Sequence, residues 1–329
     1  MCAIILQVKE ICMKKLLILL LVCLMFSTSL TGCSSEKLHV VYTVYPVEYI
    51  LDRIANNRIT YSKLSTEGPI QTANIVSDYQ TKIDNADLLV HLGDLESYWK
   101  IYASDFINNE TTIIDLTGTS ALYDFKRYTT GIVSGNAVVV ESAYYDGDIF
   151  QSVDVYSKDP NLWIDPIAMT SMARTIKDWL VTNYPQEAAY FEMNFKALEA
   201  DLVRLDAEYR DLVGNDIKIV TITPSFGNWQ KAYGFGVYPV ILSRYGAMPS
   251  DEQLDVIIAR IKEDKVKYIA KEANLTEDML ALYEKVKKEC NLTEISLSNI
   301  SSLTKEEFDK NKDYLTIMYD NLTTLEKIK

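Results

Sequence analysis

The sequence predicts an α/β fold of two lobes, each built on a parallel sheet, joined by one long helical stretch. Short apolar strands alternate with helical segments both before and after residues 167–213, which is the pattern of consecutive β–α–β units. The 329 residues are 48% hydrophobic and 24% charged, so the chain can bury the cores of one or two ordinary domains. This composition excludes a disordered or collagen-like chain.

The first lobe is predicted from four strands with three helices between them. We expect the strands at 39–45, 59–65, 86–93 and 111–117, and the helices at 47–56, 74–83 and 96–107. Residues 118–158 are expected to be irregular, with one short strand at 136–141.

The long helical stretch ends at Gly214, and Pro185 interrupts it near its first third. Apolar residues at three- and four-residue spacing predict helix throughout 187–213. Asp165 stands where it can cap the start of this stretch.

The second lobe repeats the alternation, and Ser250 and Thr276 are expected to cap two of its helices. Its strands are predicted at 218–223, 237–243, 267–273 and 293–298, and its helices at 225–233, 251–263, 276–289 and 304–328. The expected divisions are a signal segment at 1–32, a first lobe at 33–166, a linking helix at 167–214 and a second lobe at 215–329.

The N-terminal segment has the pattern of a bacterial lipoprotein signal. Lys14 and Lys15 precede an apolar run at 16–26, which is shorter than the roughly 20 residues that span a bilayer. Cys33 then follows Leu-Thr-Gly, which resembles a lipobox, in which the cysteine becomes the lipidated first residue. We expect an extracytoplasmic protein held at the cell membrane by lipid on Cys33, with synthesis starting at Met1 or Met13.

Charge and histidine content exclude several classes of function. The chain has 33 Lys and Arg against 46 Asp and Glu, a net charge of −13, which disfavours nucleic-acid partners. His39 and His91 are its two histidines. We expect His39 at an exposed strand end and His91 in a structural role. Because the chain also lacks a P-loop, a Gly-x-Ser-x-Gly turn and a His-Glu-x-x-His motif, we expect no enzyme activity.

One octapeptide carries a family resemblance. Residues 159–166 read DPNLWIDP, which resembles the D-P-H-x-W-[LI]-D-P signature of the solute-binding lipoproteins of zinc and manganese ABC importers (cluster A-I). Further segments that resemble the same family cover most of the mature chain, at 43–55, 86–99, 184–213, 226–235, 249–272 and 314–328. The resemblance implies two α/β lobes joined by a rigid helix, a metal buried between them, and permease and ATPase partners.

The positions that carry metal ligands in that family hold neutral side chains in this chain. By register with the family motifs, the three expected histidines fall on Gln71, Asn161 and Thr223, and the expected acid falls at Ser298 or Asn299. Zinc prefers imidazole, thiolate or carboxylate ligands, so we expect no bound metal or other cofactor. Glu272, at a predicted strand end, is the best remaining charged candidate for ligand contact.

Three readings of the cleft stay open from the sequence. In the first, the chain is a monomeric solute-binding lipoprotein whose ligand contacts Gln71, Asn161, Thr223, Asn299 and Glu272. In the second, a cleft lined by amides, hydroxyls and aromatics binds a small organic solute. In the third, the chain is a surface protein with an adhesion or regulatory role, and its aromatics pack the interface between the lobes.

Overall fold

The computed structural model describes residues 37–107 and 111–329, so the predicted signal segment and Cys33 lie outside the described residues. The first lobe is built on a four-stranded parallel sheet with the strand order β2-β1-β3-β4. Its strands are β1 (His39–Tyr42), β2 (Thr60–Lys63), β3 (Leu88–His91) and β4 (Thr112–Asp115). The four predicted strands are therefore present, each shorter than the sequence pattern suggested.

Three helices connect these strands, and their bounds differ somewhat from those predicted. They are α1 (Tyr45–Ala55), α2 (Tyr79–Asp84) and α3 (Trp99–Ile107). The prediction had β1 run to residue 45 and end at Pro46. Instead Pro46 lies in the first turn of α1, where its missing N–H costs no helical hydrogen bond.

A β-hairpin occupies part of the segment that the sequence predicted to be irregular. Strand β5 (Arg127–Val133) pairs antiparallel with β6 (Asn136–Ser142). Ser134 and Gly135 join the strands, with φ of 50° and 83°. Positive φ at both loop residues is the conformation that tight hairpins require. The strand predicted at 136–141 is confirmed as β6. The prediction that residues 127–133 are irregular was wrong, because this Ser-Gly turn signal was overlooked.

The predicted linking stretch consists of two helices, α4 (Pro166–Asn183) and α5 (Ala188–Arg210). Asp165 caps α4 by accepting a hydrogen bond from the Ile167 N–H at 2.8 Å, as predicted. Pro185 lies in the turn between the helices. Lys177 of α4 pairs with Glu192 of α5 at 3.0 Å, so the helices form a hairpin rather than one continuous rod.

Helix α5 contacts both lobes. The Asn194 side chain donates to the Ile54 carbonyl of the first lobe at 2.9 Å. The Tyr209 hydroxyl donates to the Met318 carbonyl of the second lobe at 2.8 Å. Residues Leu38–Lys329 form one compact unit, and α5 is one of the elements that hold it together.

The second lobe has its own parallel sheet, in the order β10-β9-β7-β8. The strands are β7 (Lys218–Thr221), β8 (Gly236–Pro239), β9 (Tyr268–Glu272) and β10 (Thr293–Leu297). The helices are α6 (Asn228–Tyr233), α7 (Asp251–Glu263), α8 (Glu277–Glu289), α9 (Lys305–Asp309) and α10 (Tyr314–Glu326).

Two predictions about the helix starts of this lobe are confirmed. Ser250 caps α7 in a reciprocal capping box with Gln253, and Thr276 caps α8. The last helix, α10, also holds the loop after β10. The Asn321 amide accepts from the Ser298 N–H at 2.9 Å and donates to the Ser298 carbonyl at 2.8 Å.

Among the described residues, no helix combines the length and the apolar character that crossing a bilayer requires.

Candidate functional site

The five side chains predicted to contact a ligand are all at most 2% exposed, and three of them lie at or just after strand ends. Glu272 is the last residue of β9, and Asn299 follows the end of β10 by two positions. Thr223 follows β7, Asn161 precedes α4, and Gln71 lies in the turn after β2. Carboxyl ends of parallel strands are where ligands bind in α/β folds.

The Glu272 carboxylate is already surrounded by four donors. Oε1 accepts from the backbone N–H groups of Ile222 and Thr223, both at 2.9 Å. Oε2 accepts from the Thr223 hydroxyl at 2.5 Å and from the Asn299 amide at 3.1 Å. Burial raises the pKa of Glu272, and these donors oppose the rise. Its oxygens stabilise the fold of the second lobe and are not free to bind a ligand.

Asn299 extends this network toward the segment before α4. Its Nδ2 also donates to Asn274 Oδ1 at 3.0 Å, and its Oδ1 accepts from the Ser301 N–H at 3.2 Å. Its backbone carbonyl accepts from Trp163 Nε1 at 2.7 Å and from Asn161 Nδ2 at 3.5 Å. Asn161, Thr223, Asn299 and Glu272 are therefore brought together in one buried network.

Gln71 belongs to the first lobe and reaches the same interface from the other side. Its turn is tied to the second lobe, because the Gly68 carbonyl accepts from the Ser301 hydroxyl at 3.0 Å. Both polar atoms of the Gln71 amide are buried without a hydrogen-bond partner. Asn161 Oδ1 is also buried without a partner. Unpaired buried polar atoms are rare in folded proteins.

The tryptophans near the network pack the interior. Trp163 and Trp229 are fully buried, and Trp229 Nε1 donates to the Ile164 carbonyl at 2.9 Å. A cavity beside the network, lined by Thr43 and Glu96 of the first lobe and Ser301 of the second, has a volume of about 10 Å³. That is room for about one water molecule.

The sequence did not single out Asp159, the most deeply buried carboxylate near this interface. It is 0% exposed, and neither of its oxygens has a described donor in good hydrogen-bond geometry. Burial raises its pKa well above the ordinary value, although the Tyr144 hydroxyl partly opposes the rise. A Cβ built on Gly227 would lie 1.9 Å from Asp159 Oδ1, so the carboxyl group occupies the space that the missing side chain leaves.

His91 is buried, in keeping with the predicted structural role, whereas His39 begins β1 as predicted but is half-buried rather than exposed. His91 Nδ1 accepts from the Gly93 N–H at 2.8 Å, and its ring stacks on Trp99 with centroids 3.5 Å apart. Burial lowers the pKa of His91 to about 4. His39, on the rim of the first sheet, contacts the hydroxyls of Thr60 and Ser62. Across the described ranges, no three His, Cys, Asp or Glu side chains are grouped to hold a metal ion.

The sequence matches the family model described as zinc-uptake complex component A, periplasmic, over residues 40–328. It is 27% identical over 333 residues to the zinc-binding protein AdcA of Streptococcus pyogenes, covering 95% of this chain and 61% of that protein. It is 26% identical over 299 residues to the high-affinity zinc uptake system protein ZnuA of Bacillus subtilis, covering 88% and 87%. The chain thus spans about three fifths of the length of its AdcA relatives.

Solved structures share the fold. The Zn(II)-bound ZnuA-like domain of Streptococcus pneumoniae AdcA has a TM-score of 0.64 at 22% identity, covering 88% of this chain and 98% of that one. The periplasmic zinc-binding protein TroA of Treponema pallidum has a TM-score of 0.67 at 17% identity, covering 88% and 98%.

The solved structures confirm the α/β fold of parallel sheets that the family resemblance implied. The chain belongs to the family of periplasmic zinc-uptake component A proteins.

Proposed function

We propose that this chain is the extracytoplasmic solute-binding component of an ABC importer and that its ligand is not a bare transition-metal ion. The family supports the importer role, and relatives in it are described as zinc-binding. We propose a different ligand from that of those relatives because four buried side chains of this chain are poor zinc ligands.

One observation carries the proposal. Gln71, Asn161, Thr223 and Asn299 offer amide and hydroxyl groups, which cannot neutralise a dication. Glu272, the neighbouring carboxylate, already accepts four hydrogen bonds. Placing Zn²⁺ among these groups would leave its charge largely uncompensated in a buried site, which is energetically costly.

The experiment is native mass spectrometry and titration calorimetry on the protein from Ser34 onward, purified without chelator. We expect no stoichiometric zinc or manganese adduct, and no heat of binding for either ion. The zinc-binding ZnuA-like domain of S. pneumoniae AdcA, handled identically, is the positive control. A tight adduct in this chain would refute the proposal.

We further propose that lipid on Cys33 anchors the protein to the cell membrane and that a permease and an ATPase are its partners. Relatives in S. pneumoniae are described as lipoproteins, and the Leu-Thr-Gly-Cys sequence supports the same processing here. Labelled palmitate should be incorporated into the full-length protein and not into a Cys33→Ser variant. Crosslinking in native membranes should recover the permease.

The close packing at the interface favours a second candidate, a surface protein that keeps the scaffold without transporting a solute. Trp163 and Trp229 fill this region, and the adjacent cavity measures only about 10 Å³. Recovery of another surface protein, and not of a permease, in the crosslinking experiment would support this candidate.

A further inference from the structure

Arg244 is a buried cation that forms no ion pair with any described residue. It is 6% exposed and lies in the turn after β8. Its Nη2 donates to the Asp94 carbonyl at 2.6 Å, while its Nε is buried with no hydrogen-bond partner. No carboxylate in the described part of the chain lies within ion-pair distance. A buried, unpaired guanidinium is unfavourable unless an anion completes it.

Two acidic residues of the first lobe near Arg244 are engaged elsewhere. The Asp94 backbone carbonyl accepts from Arg244, and its carboxylate lies 3.5 Å from Lys100 Nζ. Glu96 accepts from the Leu92 N–H at 2.9 Å and from the Tyr98 hydroxyl at 2.7 Å. Neither side chain supplies the missing negative charge.

Gln71, in the first lobe, and Arg244, in the second, both lie next to Tyr156. Tyr156 connects the two, because the Arg244 guanidinium carbon lies 5.8 Å from the centre of its ring, and its hydroxyl donates to the Arg244 carbonyl at 3.3 Å. Burial raises the pKa of this hydroxyl, and its interactions with Arg244 and with the Gln71 side chain partly oppose the rise. A Cβ on Gly246 would lie 3.6 Å from the Gln71 Cβ, so the two turns are in contact.

We propose that Arg244 and Gln71 form the recognition site for a small oxyanion, specifically a monovalent carboxylate. Guanidinium and amide N–H groups are donors that match carboxylate oxygens. One guanidinium balances one negative charge, so a monovalent carboxylate adds no net negative charge beside Glu96. Doubly charged phosphate would leave one negative charge unbalanced there. This inference rests on the proposed function and names the ligand class, a small carboxylate. The site is related to the cation sites of the family, but it carries a fixed positive charge.

The test uses the protein from Ser34 onward, with formate and acetate as the smallest carboxylate probes. Thermal unfolding is followed in sodium formate, sodium acetate, sodium phosphate and sodium chloride at matched ionic strength. We expect formate and acetate to raise the midpoint of the wild type above that in chloride. We expect this difference to vanish in Arg244→Met, which keeps the aliphatic stem. Arg260→Met, at an arginine already paired with Asp146, is the matched control and should keep it.

A second variant keeps the proposal falsifiable if Arg244→Met folds poorly. Gln71→Glu places a carboxylate on the turn that contacts the Arg244 turn. If the inference holds, this variant should have a higher midpoint without added salt and bind formate about tenfold or more weakly. Unchanged formate binding in Gln71→Glu, or no formate effect in the wild type, would overturn the inference. A preference for phosphate would overturn the carboxylate assignment. Zinc binding would instead refute the proposed function, so the two failures are distinguishable.

Discussion

Trp163 Nε1 donates a 2.7 Å hydrogen bond to the Asn299 carbonyl, which joins the segment before α4 to the loop after β10. Replacing Trp163 with Phe removes the donor and part of a fully buried side chain. We expect the free energy of unfolding to fall by about 2–4 kcal/mol, measured by urea denaturation. Trp179→Phe, at a half-buried tryptophan, should cost much less. Equal losses in the two variants would contradict this role of Trp163.

Gly227 is required because Asp159 occupies the place of a side chain there. The Gly227→Ala methyl would lie 1.9 Å from Asp159 Oδ1, so we expect a loss of about 1–3 kcal/mol in unfolding free energy. Gly118→Ala, where no atom lies within 4 Å of the new Cβ, is the control. Combining Gly227→Ala with Asp159→Ala should recover part of the loss, as a double-mutant cycle would show. Strict additivity would argue against the contact.

Glu272 has a structural role that is separable from ligand contact. Removing its carboxylate in Glu272→Ala leaves four donors without an acceptor, and we expect a loss of about 3–5 kcal/mol. The isosteric Glu272→Gln should lose less, because it keeps one acceptor oxygen. Neither variant should change formate binding relative to the wild type under conditions where it stays folded. A selective loss of formate binding in Glu272→Gln would assign Glu272 to the ligand.

Glu96 should make stability fall as the pH rises through a defined window. Burial raises the pKa of Glu96 from its usual 4.5 to about 7 in the folded state. Between these values the folded chain holds a proton that the unfolded chain has released, so stability decreases with increasing pH. The total is about 3 kcal/mol, at about 1.4 kcal/mol per pKa unit. Unfolding free energies at pH 4.5 and pH 8 should show this decrease in the wild type.

In Glu96→Gln the same decrease should be smaller by that amount. Asp159 and Glu272 have pKa values raised by burial in the same direction. They are present in both proteins, so the difference between wild type and variant isolates Glu96. Identical pH profiles would show that Glu96 ionises normally in the folded protein.

Restoring the family's ligand types should create a zinc site. A chain with Gln71→His, Asn161→His, Thr223→His and Asn299→Asp offers three imidazoles and one carboxylate, the donor set that tetrahedral Zn²⁺ prefers. We expect zinc affinity at least about a hundredfold above that of the wild type, by titration against a competing chelator. The corresponding alanine variant should gain none. Failure of a folded variant to gain affinity would show that these four positions do not converge.

Much of the fold could be predicted from the sequence because its signals are local. The caps at Asp165, Ser250 and Thr276 each depend on a side chain and an N–H two or three residues away. The βα alternation follows from apolar runs separated by helical spacing. The hairpin signal at Ser134 and Gly135 was equally local, and it was missed only because the surrounding residues were interpreted as irregular.

The sequence could not show which side chains of the site are already hydrogen-bonded, because these bonds join distant segments of the chain. Nothing near Glu272 in sequence shows that its four donors come from the ends of β7 and β10. Arg244 carries no motif, and its lack of a counter-ion becomes visible only when every neighbouring carboxylate has been located. The contact between Asp159 and Gly227 joins positions in two separate family segments, so neither segment alone reveals it.

The two hydrogen bonds between Asn321 and Ser298 have a consequence for the order of folding. Ribosomal synthesis runs from the N-terminus, so helix α10 is made after every other segment that contributes to the buried network. The loop holding Asn299 therefore lacks these two hydrogen bonds until residue 321 has been made. The network around Glu272 is completed only when nearly the whole chain is available, so truncation before residue 321 should leave it incomplete.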